Sequence, residues 1–195
     1  MRVESYQYGG VTVYMTNIPA CENLSRRECE RKAEAELIRQ LLGDKDELIH
    51  DEDGKPYLKD RSLYISVSHS KSRLCIALSE NREAGVDIED LHPRIERVKH
   101  MFLTEAETAC LPTGLTALAL CWSAKEAVYK IAGKKAGAMA ENVKLDVEAL
   151  ANALNQSQSM IEFSARVGDE RFRLAVLEHN EEFEIVLACR YMNRY

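Results

Sequence analysis

The stretch Gly85-Val86-Asp87-Ile88-Glu89 constrains this chain more than any other. Val86 and Ile88 alternate with Asp87 and Glu89, which is the two-residue period of a strand. Both carboxylates then share one face. A charge held beside apolar residues is costly unless something pairs with it. The segment Trp122-Ser123-Ala124-Lys125-Glu126-Ala127-Val128-Tyr129-Lys130 offers a partner. Glu126 and Lys130 stand four residues apart, so on a helix they share a face. Where the two faces meet, Asp87, Glu89 and Glu126 put three hard oxygen ligands around one spot, with an ammonium nearby. That is a site for Mg²⁺ and a phosphate.

The rest of the chain supplies a scaffold of suitable size. Its 195 residues allow one domain or two small fused ones, and 46% hydrophobic residues suffice for a core. A net charge of −6 argues against a dedicated nucleic-acid binder. The six cysteines, Cys21, Cys29, Cys75, Cys110, Cys121 and Cys189, form no CxxC pair and no Cys/His cluster, which argues against zinc. Most lie in apolar contexts and read as reduced core thiols of a cytoplasmic protein. No signal peptide is expected, and no apolar run approaches the ~18 residues of a membrane span.

Short strands are expected over 3–8 and 11–16 around Gly9-Gly10, then a helix over 25–42 stopped by Gly43. Residues 44–62 read as loop. SLYISVSHS and LCIALSE read as paired strands, followed by GVDIE, then a helix over 94–102. Thr104 and Glu107 fit a capping box for the next helix, and Pro112 and Gly114 end it. A long helix is expected over 116–131, then a strand and short helix within 141–154. MIEFSARV, RFRLAVLEH and FEIVLACRY read as an antiparallel meander. The order predicts an α+β fold of two similar lobes, each an antiparallel sheet packed with helix. The lobes would be residues 1–84 and 85–195, with a ligand at their seam.

The pair of signatures, GVDIE and WSAKEAVYK, resembles the 4′-phosphopantetheinyl transferases. Gly54-Lys55-Pro56, Ser68-His69-Ser70 and Phe102-Leu103-Thr104-Glu105-Ala106-Glu107 extend the match in order across 54–130. Length and lobe pattern resemble the larger, pseudo-dimeric (Sfp-type) branch, which implies pseudo-twofold lobes and a monomer. The resemblance implies an activity of the holo-carrier-protein synthase type. Phosphopantetheine would move from coenzyme A to a serine of an apo acyl or peptidyl carrier protein, releasing adenosine 3′,5′-bisphosphate.

It also implies roles. Asp87, Glu89 and Glu126 would bind Mg²⁺, and Glu126 would accept the serine proton directly or through water. Lys130 would offset charge on the leaving group. His69, Ser68 and Lys55 would hold the 3′-phosphate of coenzyme A, with Arg27 and Arg31 of the first helix beside them. Trp122 reads as an anchor for its helix. Lys125 is left between a phosphate partner and a solvated side chain, and Glu107 reads first as a cap. Gly133-Lys134-Lys135, Arg94 and Arg97 would face an acidic carrier, or be solvated helix ends. A Mg²⁺-dependent phosphohydrolase or nuclease is the competing reading of the same carboxylates.

Overall fold

The computed structural model describes residues 1–20, 22–44 and 47–191, and Cys21 lies outside them. Strands β1 (Glu4–Tyr8), β2 (Val11–Asn17), β5 (Tyr64–His69) and β6 (Arg73–Ser79) form one sheet in the order β1-β2-β6-β5. Strands β7 (Ala84–Asp90), β8 (Lys144–Leu145), β9 (Ile161–Val167), β10 (Glu170–His179) and β11 (Phe183–Arg190) form a second, in the order β7-β11-β10-β9-β8. All pairings are antiparallel. The expected α+β class is therefore the observed one. The segment expected as loop over 44–62 contains a small hairpin, β3 (Leu48–His50) with β4 (Pro56–Leu58). Its strands are only three residues long, too short for a two-residue hydrophobic period to register.

Helix α1 (Arg26–Leu42) is capped by Ser25 in a box with Glu28. The expected helix over 94–102 is α2 (Ile95–Val98) followed by a 3₁₀ turn over Lys99–Met101. Helices α3 (Glu105–Cys110), α4 (Leu115–Ala132), α5 (Met139–Asn142) and α6 (Val147–Asn155) complete the chain. Among the described residues, no helix is long and apolar enough to cross a membrane. Of the described cysteines, Cys29, Cys75, Cys121 and Cys189 are buried and Cys110 is exposed; none is in a disulfide.

The layers run α1, first sheet, second sheet, α4. On β6, Leu74, Ile76 and Leu78 pack with Leu37 and Ile38 of α1, whereas Cys75 and Ala77 pack against Val86 and Ile88 of β7. On β11, Ile185 and Leu187 join that inter-sheet core, whereas Val186 and Ala188 join Ala124, Ala127 and Val128 of α4. Burial on both faces explains why LCIAL and FEIVLAC read as continuous apolar runs rather than as alternation.

Strand β7 is the edge of its sheet, and its exposed backbone is covered by serines of β5. Ser66 Oγ accepts the Val86 N–H at 3.1 Å, and Ser68 Oγ accepts the Ile88 N–H at 3.3 Å. With Val86 and Ile88 turned to the inter-sheet core, Gly85, Asp87 and Glu89 face α4. The approach is close: a Cβ on Gly85 would lie 2.0 Å from the Ala127 carbonyl oxygen and 3.2 Å from Ile131 Cγ1. Only glycine permits this separation. Gly85→Ala is expected to push α4 off β7 and to lower stability by about 1–3 kcal/mol. Urea denaturation checks this; a variant as stable as the parent would show that the contact is not tight.

Candidate functional site

The acidic face of β7 meets the Glu126–Lys130 face of α4. Lys130 Nζ donates to Asp87 Oδ1 at 2.8 Å and to the Val86 carbonyl at 2.8 Å. Ser68 Oγ donates to the same Asp87 oxygen at 2.7 Å. Asp87 is buried, and its other oxygen, Oδ2, has no hydrogen-bond partner. The structure thus engages Ser68 and Lys130 with Asp87.

Burial dominates the acid chemistry here. The Glu89 carboxyl is pushed up to about 7 by burial first and by Asp87 second, while the Trp122 indole offsets part of the rise. Burial and Asp87 also raise Glu126, against a lowering by Lys130. Trp122 meets Phe102 edge-on with ring centroids 5.2 Å apart, which fits the expected anchoring role.

The three carboxylates suit a hard divalent cation, and the partnerless Asp87 Oδ2 is a free donor for one. As the side chains stand, no three His, Cys, Asp or Glu residues among those described are gathered around a point that could hold a metal ion. Lys130 instead supplies the positive charge at Asp87.

Of the expected phosphate-binding residues, Ser68 is buried against Asp87 and is not on the walls of the adjoining clefts that the others line. Arg27, Arg31 and His69 line one cavity of about 780 Å³ between α1 and the β3–β4 hairpin, together with Glu34 and His50. Lys55 and Lys130 line a second, of about 350 Å³, and Gly54 borders both. Each expected cation on these walls that is bonded has an internal acid: His69 Nε2 is bonded to Glu34 and Lys55 Nζ to Glu83. His69 also borders a third cleft, where Arg26, Glu89 and Trp122 meet. Arg26 of α1 donates to the Ser70 carbonyl at 3.1 Å.

Lys125 is fully buried and meets neither phosphate nor solvent. Its ammonium donates to both Glu107 oxygens, at 2.9 and 3.0 Å. Glu107 accepts the Thr104 N–H at 2.9 Å in the expected capping box, and the Leu145 N–H at 3.4 Å. The motif lysine therefore ties α4 to α3 and β8. Lys134 and Lys135 pair with Asp53 and Glu170.

Two acids here escaped the sequence reading: Glu184, which is buried, and Glu34, which is half-buried. Glu184 of β11 sits in register with Glu89 and is fully buried. Burial pushes its carboxyl well above the usual range, with Asp87 and Glu89 adding to the rise. The nearby Ser123 hydroxyl is the next largest influence after burial and lowers it, without making an aligned hydrogen bond. One acid inside the apolar run FEIVLAC was the available signal. Glu34 gave none, being one of several acids on a charged helix.

The family model of the 4′-phosphopantetheinyl transferase superfamily matches residues 83–185, from the start of β7 into β11. The match covers more than half of the chain, and the protein belongs to that superfamily. A search of curated proteins finds no match.

Two measurements follow from this geometry. Lys125→Met leaves the Glu107 carboxylate buried without its cation, and should cost about 3–5 kcal/mol in urea denaturation. A loss below 1 kcal/mol would contradict the buried pair. Glu89, raised from 4.5 to about 7, keeps its proton in the folded state over a range where the unfolded chain has lost it. Stability without divalent cations should therefore fall as pH rises from 4.5 to about 7. Glu89→Gln should flatten that fall; equal slopes in EDTA for the two proteins would refute the shift.

Proposed function

We propose that the protein transfers 4′-phosphopantetheine from coenzyme A to a serine hydroxyl of an apo acyl or peptidyl carrier protein, releasing adenosine 3′,5′-bisphosphate. We read residues 1–84 and 85–195 as two lobes forming one complete site, as in the pseudo-dimeric branch, so that a monomer suffices. The observation that carries the reading is the meeting of Asp87, Glu89, Glu126 and Lys130 at one seam, within the segment that matches the superfamily.

Asp87, Glu89 and Glu126 would hold Mg²⁺, which when bound supplies neutralising charge for the pyrophosphate of coenzyme A. The protein's own groups do the rest. Glu126, raised by burial and by Asp87, is suited to accept the proton of the attacking serine, directly or through water. Lys130, released from Asp87, offsets the charge that grows on the leaving phosphate. Ser68 holds the Asp87 carboxylate in place through its 2.7 Å hydrogen bond. Arg27, Arg31 and His69 form the wall that would take the 3′-phosphate, and Lys55 borders the cleft it shares with Lys130.

Incubation with coenzyme A, Mg²⁺ and several apo carrier proteins should add one phosphopantetheine to a carrier, read by mass spectrometry. Asp87→Asn should lower the rate by at least ~100-fold, the scale on which losing a transition-state charge contact acts. No mass gain on any carrier, or a variant as fast as the parent, would overturn the reading.

A further inference from the structure

The register of the second sheet carries a fourth acid to the seam. Glu184 lies opposite Glu89, and it is in step with Val186 and Ala188, which pack beneath α4. It therefore faces α4 on the same side as Asp87 and Glu89. Glu184 is 0% exposed, and neither of its oxygens has a hydrogen-bond partner. The Ser123 hydroxyl of α4 is equally buried and lies by Glu184 without an aligned hydrogen bond, and Asp87 Oδ2 is buried without a partner. Buried polar atoms are satisfied in the great majority of cases, and an unmatched carboxylate is among the costliest exceptions. Packing alone does not explain an acid here, because an amide or apolar side chain of similar size would fill the space without the cost. None of the roles assigned above uses Glu184 or Ser123.

The geometry points to Glu184 as the inner acid of the cation site, standing behind Glu89 and lending its negative charge to a bound divalent cation. The inference rests on reading Asp87, Glu89 and Glu126 as that site. With Asp87, Glu89 and Glu126 ionised around a bound cation, an ionised Glu184 would add a fourth negative charge beside them. In a buried layer the added charge is screened less than it would be at the surface, so it acts more strongly on a nearby cation. Without a cation, ionising Glu184 would set it against Asp87 and Glu89 with nothing to offset the repulsion.

The full-length protein and Glu184→Gln are titrated with Mn²⁺ alone, with no coenzyme A or carrier, and free Mn²⁺ is read by electron paramagnetic resonance. Thermal melts are run in EDTA and in Mg²⁺. The Gln variant should melt in EDTA at or above the parent's temperature. It should bind Mn²⁺ about 10-fold more weakly or worse, the scale of losing a group that supports metal ligands. Its melting temperature should also rise less with Mg²⁺. Equal Mn²⁺ affinity in the two proteins would make Glu184 a merely structural acid and overturn the inference. A parent that binds no Mn²⁺ would instead sink the cation-site reading beneath it. Should the Gln variant not fold, Glu184→Met gives the same neutral comparison with the same outcomes.

Discussion

The packing of α4 onto β7 at Gly85 is the contact on which the site depends. A strand and a helix usually meet through their side chains. Here the missing Cβ lets the Ala127 backbone come within 2.0 Å of where one would stand. Two residues along the strand is Asp87, and one turn along the helix is Lys130. The close approach lets an ammonium on α4 reach both the Asp87 carboxylate and the Val86 carbonyl. A wider gap would leave the acids of β7 facing an apolar helix, where their desolvation would have no compensation.

The layered core explains how so acidic a strand can be an edge. Val86 and Ile88 anchor β7 in the apolar layer between the sheets, on the face turned away from its acids. Ser66 and Ser68 then satisfy the backbone donors that an edge strand leaves open. Because Ser68 also donates to Asp87, one hydroxyl closes the edge and orients the acid. Beyond the site, the buried Lys125–Glu107 pair fixes the other side of α4 against α3 and β8.

Much of this was legible in the sequence where a period or a cap carries the signal. The alternation in GVDIE, the i,i+4 pair of Glu126 and Lys130 and the Thr104–Glu107 box all describe local geometry, and all three are present. What escaped is set by distant contacts. Lys125 looks like any solvated helix lysine until α3 brings Glu107 to it. Glu184 declares itself only through strand register, which FEIVLAC does not fix because that run is buried on both faces. The β3–β4 hairpin is too short to show a period.

Three of the residues proposed to meet ligands share one electrostatic arrangement. Asp87 holds Lys130, His69 holds Glu34, and Lys55 holds Glu83. Each of these three groups already has an ionisable partner of the opposite kind from within the chain. This limits the cost of keeping such charges in partly buried walls. It also means that binding is an exchange of partners rather than the filling of bare charges. A cation at Asp87 frees Lys130 for a phosphate, and a phosphate at His69 frees Glu34. On the proposed reading, the arrival of a divalent cation and of a polyanionic cofactor would thus be coupled: each supplies the charge that the other's binding residue gives up.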